Sequence, residues 1–188
     1  MKILIYLKNN FWKYVYIFST FAILGYFWEI LRHFVFYHEF VNRGLFHGPV
    51  LPIYGIVALL AYIFLYRFKN KKFSLFLICG ICASLYEYFG SLFLEKVYHL
   101  RWWNYYKYPF NIDGRVCLYS FIIFGLMGFI GIKFIFPYLD KQYDKLKKKN
   151  LKMFLVLFLL VYAIDMVYSF TNPNTGKSVT YDIKKTDD

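Results

Sequence analysis

Acidic residues, cysteine and histidine are all scarce in this 188-residue chain, which holds 11 Asp and Glu against 23 Lys and Arg, with 3 Cys and 4 His. Three cysteines cannot build a disulfide framework. Cys79 and Cys82 form a C-x-x-C inside one apolar run and Cys117 opens another, whereas a redox or zinc pair needs a loop or helix start that activates its thiolates. They read as small apolar packers. His38-Glu39 begins like the H-E-x-x-H zinc motif, but position 42 is Asn, so the second ligand is missing. His33 and His38 are five positions apart, about 140° around a helix, and do not converge. No metal site and no cofactor is expected. TNPNTGKS, residues 171–178, imitates the end of a P-loop with Thr171 in place of the first Gly and no strand before it, and no G-x-S-x-G elbow occurs. No catalytic set is expected, nor any ATPase activity of the chain's own.

Long polar stretches are also missing, and their place is taken by apolar runs. The chain is 60% hydrophobic and 25% aromatic, where a soluble domain would be about 45–50% apolar. Codon bias inflates the 23 Phe and 20 Tyr, so segment length is the better guide. A helix crosses a hydrocarbon core with about 20 mostly apolar residues. Five segments qualify: 11–37, 49–66, 73–94, 116–139 and 151–170. The alternation of a membrane barrel is absent. The expected fold is all-α, a polytopic helical bundle of about five transmembrane helices forming one membrane domain over 1–170. A polar tail, 171–188, is expected to be disordered. The first segment lacks a small-residue cleavage site, so it reads as a retained anchor.

Charge orients the bundle. With five spans, one side collects Lys2, Lys8, Lys13, Arg67, Lys69, Lys71, Lys72, Lys141, Lys145, Lys147, Lys148, Lys149 and Lys152, thirteen cations. The opposite loops hold five: Arg43, Lys96, Arg101, Lys107 and Arg115. Positive charge stays inside, which puts the N-terminus in the cytoplasm, the C-terminus outside and the protein in the cell membrane. The lysines suit anionic lipid headgroups, and no nucleic-acid recognition motif accompanies them. On the inner side, YLDKQYDKLKKKNL either extends the fourth helix or lies flat on the membrane, with an apolar stripe of Leu139, Tyr143 and Leu146.

Ionisable groups inside spans cost roughly 2.5–3.5 kcal/mol each and mark function by default. Glu29, Arg32 and His33 share one face of the first span, beside Ala22 and Gly25. Glu87 lies in the third span with Ala83 and Gly90, and Asp165 in the fifth. Each acid lies about five to seven residues, roughly 10 Å, inside the outer end of its span. Two readings follow: ion pairs that serve as structural glue, or an outward-open polar site. The candidate substrate-binding set is Glu29, Arg32, Glu87, Arg43, Arg115 and Asp165.

FAILGYFWEILRH, VNRGLFHGPVLPIYG and LYEYFGSLFLEKVYHLRWWNYYKYPFNIDGRVCLYSFIIFGLMG together resemble the small ABC-transporter permease family, type IV, of Gram-positive bacteria. The likeness covers about 21–137. Its motif positions here are Gly44, Gly48, Pro49, Pro52, Tyr54, Gly55, Glu95, Trp103, Asn111 and Gly114. Asn104 stands where that family usually has an acid, and Phe124 where Trp is common. The resemblance implies a permease-like transport component, an oligomer in membrane lipid, working with a separate nucleotide-binding ATPase subunit. Two alternatives stay open. One is a structural or regulatory subunit of another membrane protein. The other is a membrane-embedded enzyme acting on a lipid or envelope precursor, with Glu87 or Glu29 as base and Arg43, Arg115 and His47 clamping an anionic headgroup.

Overall fold

Apolar runs this long satisfy their backbone hydrogen bonds internally as helices, and the chain is a helical membrane bundle. The computed structural model describes residues 2–181, with side chains from residue 10 onward excepting Lys72. Its elements are α1 (Lys2–Tyr37), α2 (Pro52–Leu60), α3 (Lys72–Tyr98), α4 (Leu118–Ile130), α5 (Phe136–Lys145) and α6 (Lys148–Thr171). A π turn, Ala61–Leu65, and a 3-10 turn, Tyr66–Phe68, extend α2; a second π turn, Gly131–Ile135, joins α4 to α5. Four stretches are long and apolar enough to cross a membrane: Asn10–Tyr37, Phe73–Tyr98, Leu118–Lys145 and Lys148–Thr171. The inner segment YLDKQYDKLKKKNL therefore begins as a continuation of the fourth helix.

The second apolar segment is the short one, Pro52–Phe68. Its helix opens at Pro52 and not at Pro49, because Leu51 before the proline is held extended (φ −111°, ψ 95°). The chain makes up the distance with non-helical backbone. Residues 38–51 descend beside α1 until the Leu51 amide donates to the Ala22 carbonyl, 3.0 Å, some fifteen residues or about 22 Å below Tyr37. Irregular backbone at that depth has to be buried in protein, and Leu45, Phe46, Val50 and Leu51 are buried.

Two antiparallel hairpins result, α1 on α2 and α3 on α4. Each is locked by the same exchange of an aromatic ring for a glycine. Tyr54 of α2 lies over Gly25 of α1 and Phe18 of α1 over Gly55 of α2, so close that an added Cβ would meet ring atoms at 2.3 and 2.7 Å. Phe121 of α4 lies over Gly80 of α3 and Phe76 of α3 over Gly125 of α4, at 2.7 and 2.6 Å. Small residues let membrane helices approach this closely. Phe18 and Phe76 each stand eleven positions before a glutamate, Glu29 and Glu87, so the two hairpins carry an acid at the same height. α6 packs on the first hairpin through Phe158 and Tyr162 against Phe18.

At the lysine-rich end, Asp140 of α5 ties α1 and the α2 extension together, accepting from Lys13 at 2.7 Å and from the Tyr62 hydroxyl at 2.8 Å. The Lys2, Lys8 and Lys72 side chains lie outside the described residues. Ile17, Ala58, Leu75, Cys79, Ile132 and Phe136 fill this end of the bundle. Leu45, Phe46, Trp102 and Val179 fill the other.

The tail corrects an expectation. Residues 172–181 do not dangle: Asn174 bonds Leu45, Asn42 and Gly44 backbone, the Trp102 indole donates to the Asn174 carbonyl at 3.1 Å, and Tyr181 pairs with Arg101 through both backbone bonds. Val179 then drops into the apolar cluster. The rest of the expected disordered tail, 182–188, lies outside the described residues.

Candidate functional site

Between the two hairpins the structure leaves a cavity of about 680 Å³, whose polar layer lies toward the end away from the lysines. Its lining gathers Glu29 and Arg32 from α1, Arg43 from the descending loop, Tyr54 from α2, Glu87 from α3 and Tyr105 from the loop before α4. Glu29 lies sixteen residues above Lys13 and Glu87 fifteen above Lys72, about 22–24 Å in each case. Counted from those lysines the two acids stand at similar heights, and both line this cavity.

Glu29 is fully engaged. Its Oε1 accepts from the Tyr54 hydroxyl at 2.7 Å and its Oε2 from Arg32 at 2.8 Å, with Arg43 Nε at 3.8 Å. Arg43 is buried, and its guanidinium is spent on the Trp102 carbonyl (3.0 Å), the Ser178 carbonyl (3.4 Å) and His33 Nδ1 (3.2 Å). It pins the loop and the tail to α1. Glu87 differs. It is 6% exposed, its Oε1 accepts from the Tyr105 hydroxyl at 3.0 Å, and among the described residues its Oε2 has no hydrogen-bond partner within normal limits. Ser120 stands beside it as a more distant donor, and the Cys117 carbonyl, 3.0 Å from the same hydroxyl, competes for that proton within the cap in which Cys117 Sγ accepts from the Ser120 amide. Buried polar atoms are normally paired, so the free oxygen is the conspicuous feature of the wall. Burial, and then the neighbouring Glu87 carboxylate, hold the Tyr105 phenol well above its ordinary range. It remains a donor to Glu87 at any physiological pH.

Below this polar layer the walls turn apolar. Val57, Ala61 and Leu65 line one side, and Cys79, Ile123 and Met127 the other. Several lining residues, among them Leu60, Phe64, Met127 and Ile130, are exposed and apolar.

Two of the six candidate residues are elsewhere. Asp165 has a similar depth but the wrong side: α6 packs outside the first hairpin, and the carboxylate accepts from the His47 amide (3.2 Å), the Gly48 amide (3.1 Å) and the Ser169 hydroxyl (3.0 Å). It fastens the descending loop and does not line the cavity. Arg115 is turned toward α3, where it bonds Ser91 (3.2 Å) and Glu95 (2.9 Å). Glu95 also holds Arg101, so one carboxylate is shared by two buried guanidinia. His47 bonds Ser169 at 3.1 Å. The clamp of Arg43, Arg115 and His47 on a headgroup does not assemble.

The motif positions build the walls and the cap. Gly44 has φ +110°, and a Cβ there would strike Leu51 at 2.3 Å; Gly114 has φ +64°, a conformation that favours glycine. Asn111 accepts from the Gly114 amide (3.0 Å) and donates to the Tyr106 and Tyr108 carbonyls. The Trp103 indole donates to the Arg115 carbonyl at 2.9 Å. Asn104 uses its side-chain oxygen to accept from the Tyr106 amide at 2.9 Å, which an aspartate could do equally, so the absent charge costs the turn nothing. Sequence reasoning missed Tyr54 and Tyr105 as partners of the two acids. Trp102, which is buried, Trp103 and Tyr105 line the cavity as well.

Comparison with known families finds one match of long extent. The chain belongs to the family described as "Putative ABC-transporter type IV", whose model matches residues 16–170. No curated protein and no solved structure matches it.

Proposed function

We propose that the chain is the membrane-embedded permease component of a transporter, with the cavity between its hairpins as the substrate site. ATP hydrolysis would come from a separate subunit docked on the lysine-rich side, which the distribution of charge assigns to the cytoplasm. The site then faces outward. Family membership supports a transporter component. One observation carries the substrate site: a 94%-buried position, Glu87, presents an unpartnered carboxyl oxygen to a 680 Å³ cavity. A subunit that only braced another membrane protein would gain nothing from leaving that oxygen unpaired, since a buried unsatisfied polar atom costs about 1–3 kcal/mol.

The test is complementation of a deletion strain by Glu87→Gln. Glutamine keeps the shape and can still accept from Tyr105, so membrane levels by immunoblot should match wild type while the deletion phenotype persists. Full complementation by this variant would leave the carboxyl with a structural role and sink the proposal. Copurification in mild detergent with a nucleotide-binding protein is expected as well.

A further inference from the structure

The charges around the cavity are unequal in commitment. Glu29 holds Arg32 at 2.8 Å and stands 3.8 Å from Arg43, whose guanidinium is otherwise spent on backbone carbonyls and His33, so that group carries one net positive charge on its own side of the space. Among the described residues no cation pairs with Glu87, and its Oε2 has no hydrogen-bond partner. The surrounding wall is aromatic: Trp28, Tyr86, Trp103, Tyr105, Tyr108 and Tyr119 all border the cavity. Aromatic faces attract ammonium groups within about 6 Å, most strongly where water is excluded. Beside Glu87, away from Arg32 and Arg43, an anion would meet one free carboxyl oxygen and ring faces of the same sign. A cation would meet both of its natural partners.

The lower cavity selects the rest of the ligand. From Tyr54 down to Leu65 the apolar wall runs eleven residues, about 16 Å, and Val57, Ala61, Ile123 and Met127 are among the residues that line it. A small hydrophilic ion would find no partner along that wall, whereas a hydrocarbon chain would lie against it. From this geometry we infer that the cavity takes an amphiphile with a primary or quaternary ammonium headgroup, the cation against Glu87 and the rings and the chain along the apolar wall. This rests on the reading of the cavity as the substrate site, and it names the chemical class of that substrate.

The experiment uses the full chain in an uncharged detergent with three probes of equal chain length: dodecyltrimethylammonium, dodecanol and dodecanoate. Each displaces a dansyl-labelled alkyltrimethylammonium, read by energy transfer from Trp28, Trp102 and Trp103. The ammonium probe should compete best, and Glu87→Gln should weaken it by at least about tenfold. Asp144→Asn removes the same charge from an exposed site near the lysine-rich end and should change nothing. Equal competition by all three probes, or preference for dodecanoate, would overturn the ammonium headgroup while keeping an amphiphile cavity. Absence of saturable binding by any probe would overturn the amphiphile altogether. The transport reading fails separately, if Glu87→Gln complements the deletion.

Discussion

Replacing Glu95 by Gln removes the one carboxylate that Arg101 and Arg115 share. Both guanidinia are almost wholly buried, at 4% and 5% exposure. Their other partners are neutral: the Asp113 carbonyl for Arg101 and the Ser91 hydroxyl for Arg115. Breaking a buried pair by deleting one partner costs about 3–5 kcal/mol, because a desolvated charge is left behind. Here two are left, although glutamine can still accept a hydrogen bond, so about 4 kcal/mol is the expected loss. For a chain of this size each kcal/mol moves the melting temperature by about 2–4 °C, which puts the shift near 10 °C. Glu39→Gln supplies the contrast. Glu39 is half exposed and faces His33 at 3.9 Å, and an ion pair of that kind contributes about 1 kcal/mol at most. The assay is thermal denaturation in detergent, followed by the fraction that stays monodisperse after heating. If Glu95→Gln melts within 2 °C of Glu39→Gln, the two arginines are not held by charge, and the cap over the cavity is not organised around Glu95.

Topology can be read by labelling. Single cysteines at Asn70 and Lys148 should be shielded from an impermeant thiol reagent in intact cells, and cysteines at Lys107 and Lys177 should react; the opposite pattern would turn the cavity toward the cytoplasm. Glu29 and Arg32 should respond unequally. Arg32→Met leaves Glu29 with Tyr54 and Arg43 and should cost about 1 kcal/mol or less, whereas Glu29→Gln deprives buried Arg43 of its nearest carboxylate and should cost about 3 kcal/mol. Equal melting temperatures for the two variants would mean that Arg43 does not depend on Glu29.

The bundle was legible because hydropathy is a sum along the chain, and apolar runs of this length have few other solutions. Depth was legible for the same reason: residues counted from the lysine boundary place Glu29 and Glu87 at one height, and they meet at one cavity. Azimuth was not. Asp165 shares their depth, but which side of α1 the last helix occupies depends on Phe158 and Tyr162 packing against Phe18, contacts some 140 positions apart in sequence. The tail misled for a related reason. Polar composition predicts that a segment cannot build its own core, and 172–181 does not build one. It borrows a core from the loops, through the Trp102 indole and the Arg43 guanidinium, groups that need backbone carbonyls and find them there. Tyr54 and Tyr105 were hidden by abundance, being two among 20 tyrosines. The spacing that would have exposed the site is the repeated one, an aromatic eleven residues before each acid. That pattern makes Glu29 and Glu87 equivalent in place, and the difference between them then acquires meaning. Each receives a tyrosine hydroxyl, but Glu29 also receives Arg32 and the neighbourhood of Arg43, while among the described residues Glu87 has no cation paired with it. Under the proposed function, the acid that this repeat leaves open is the one that meets the substrate.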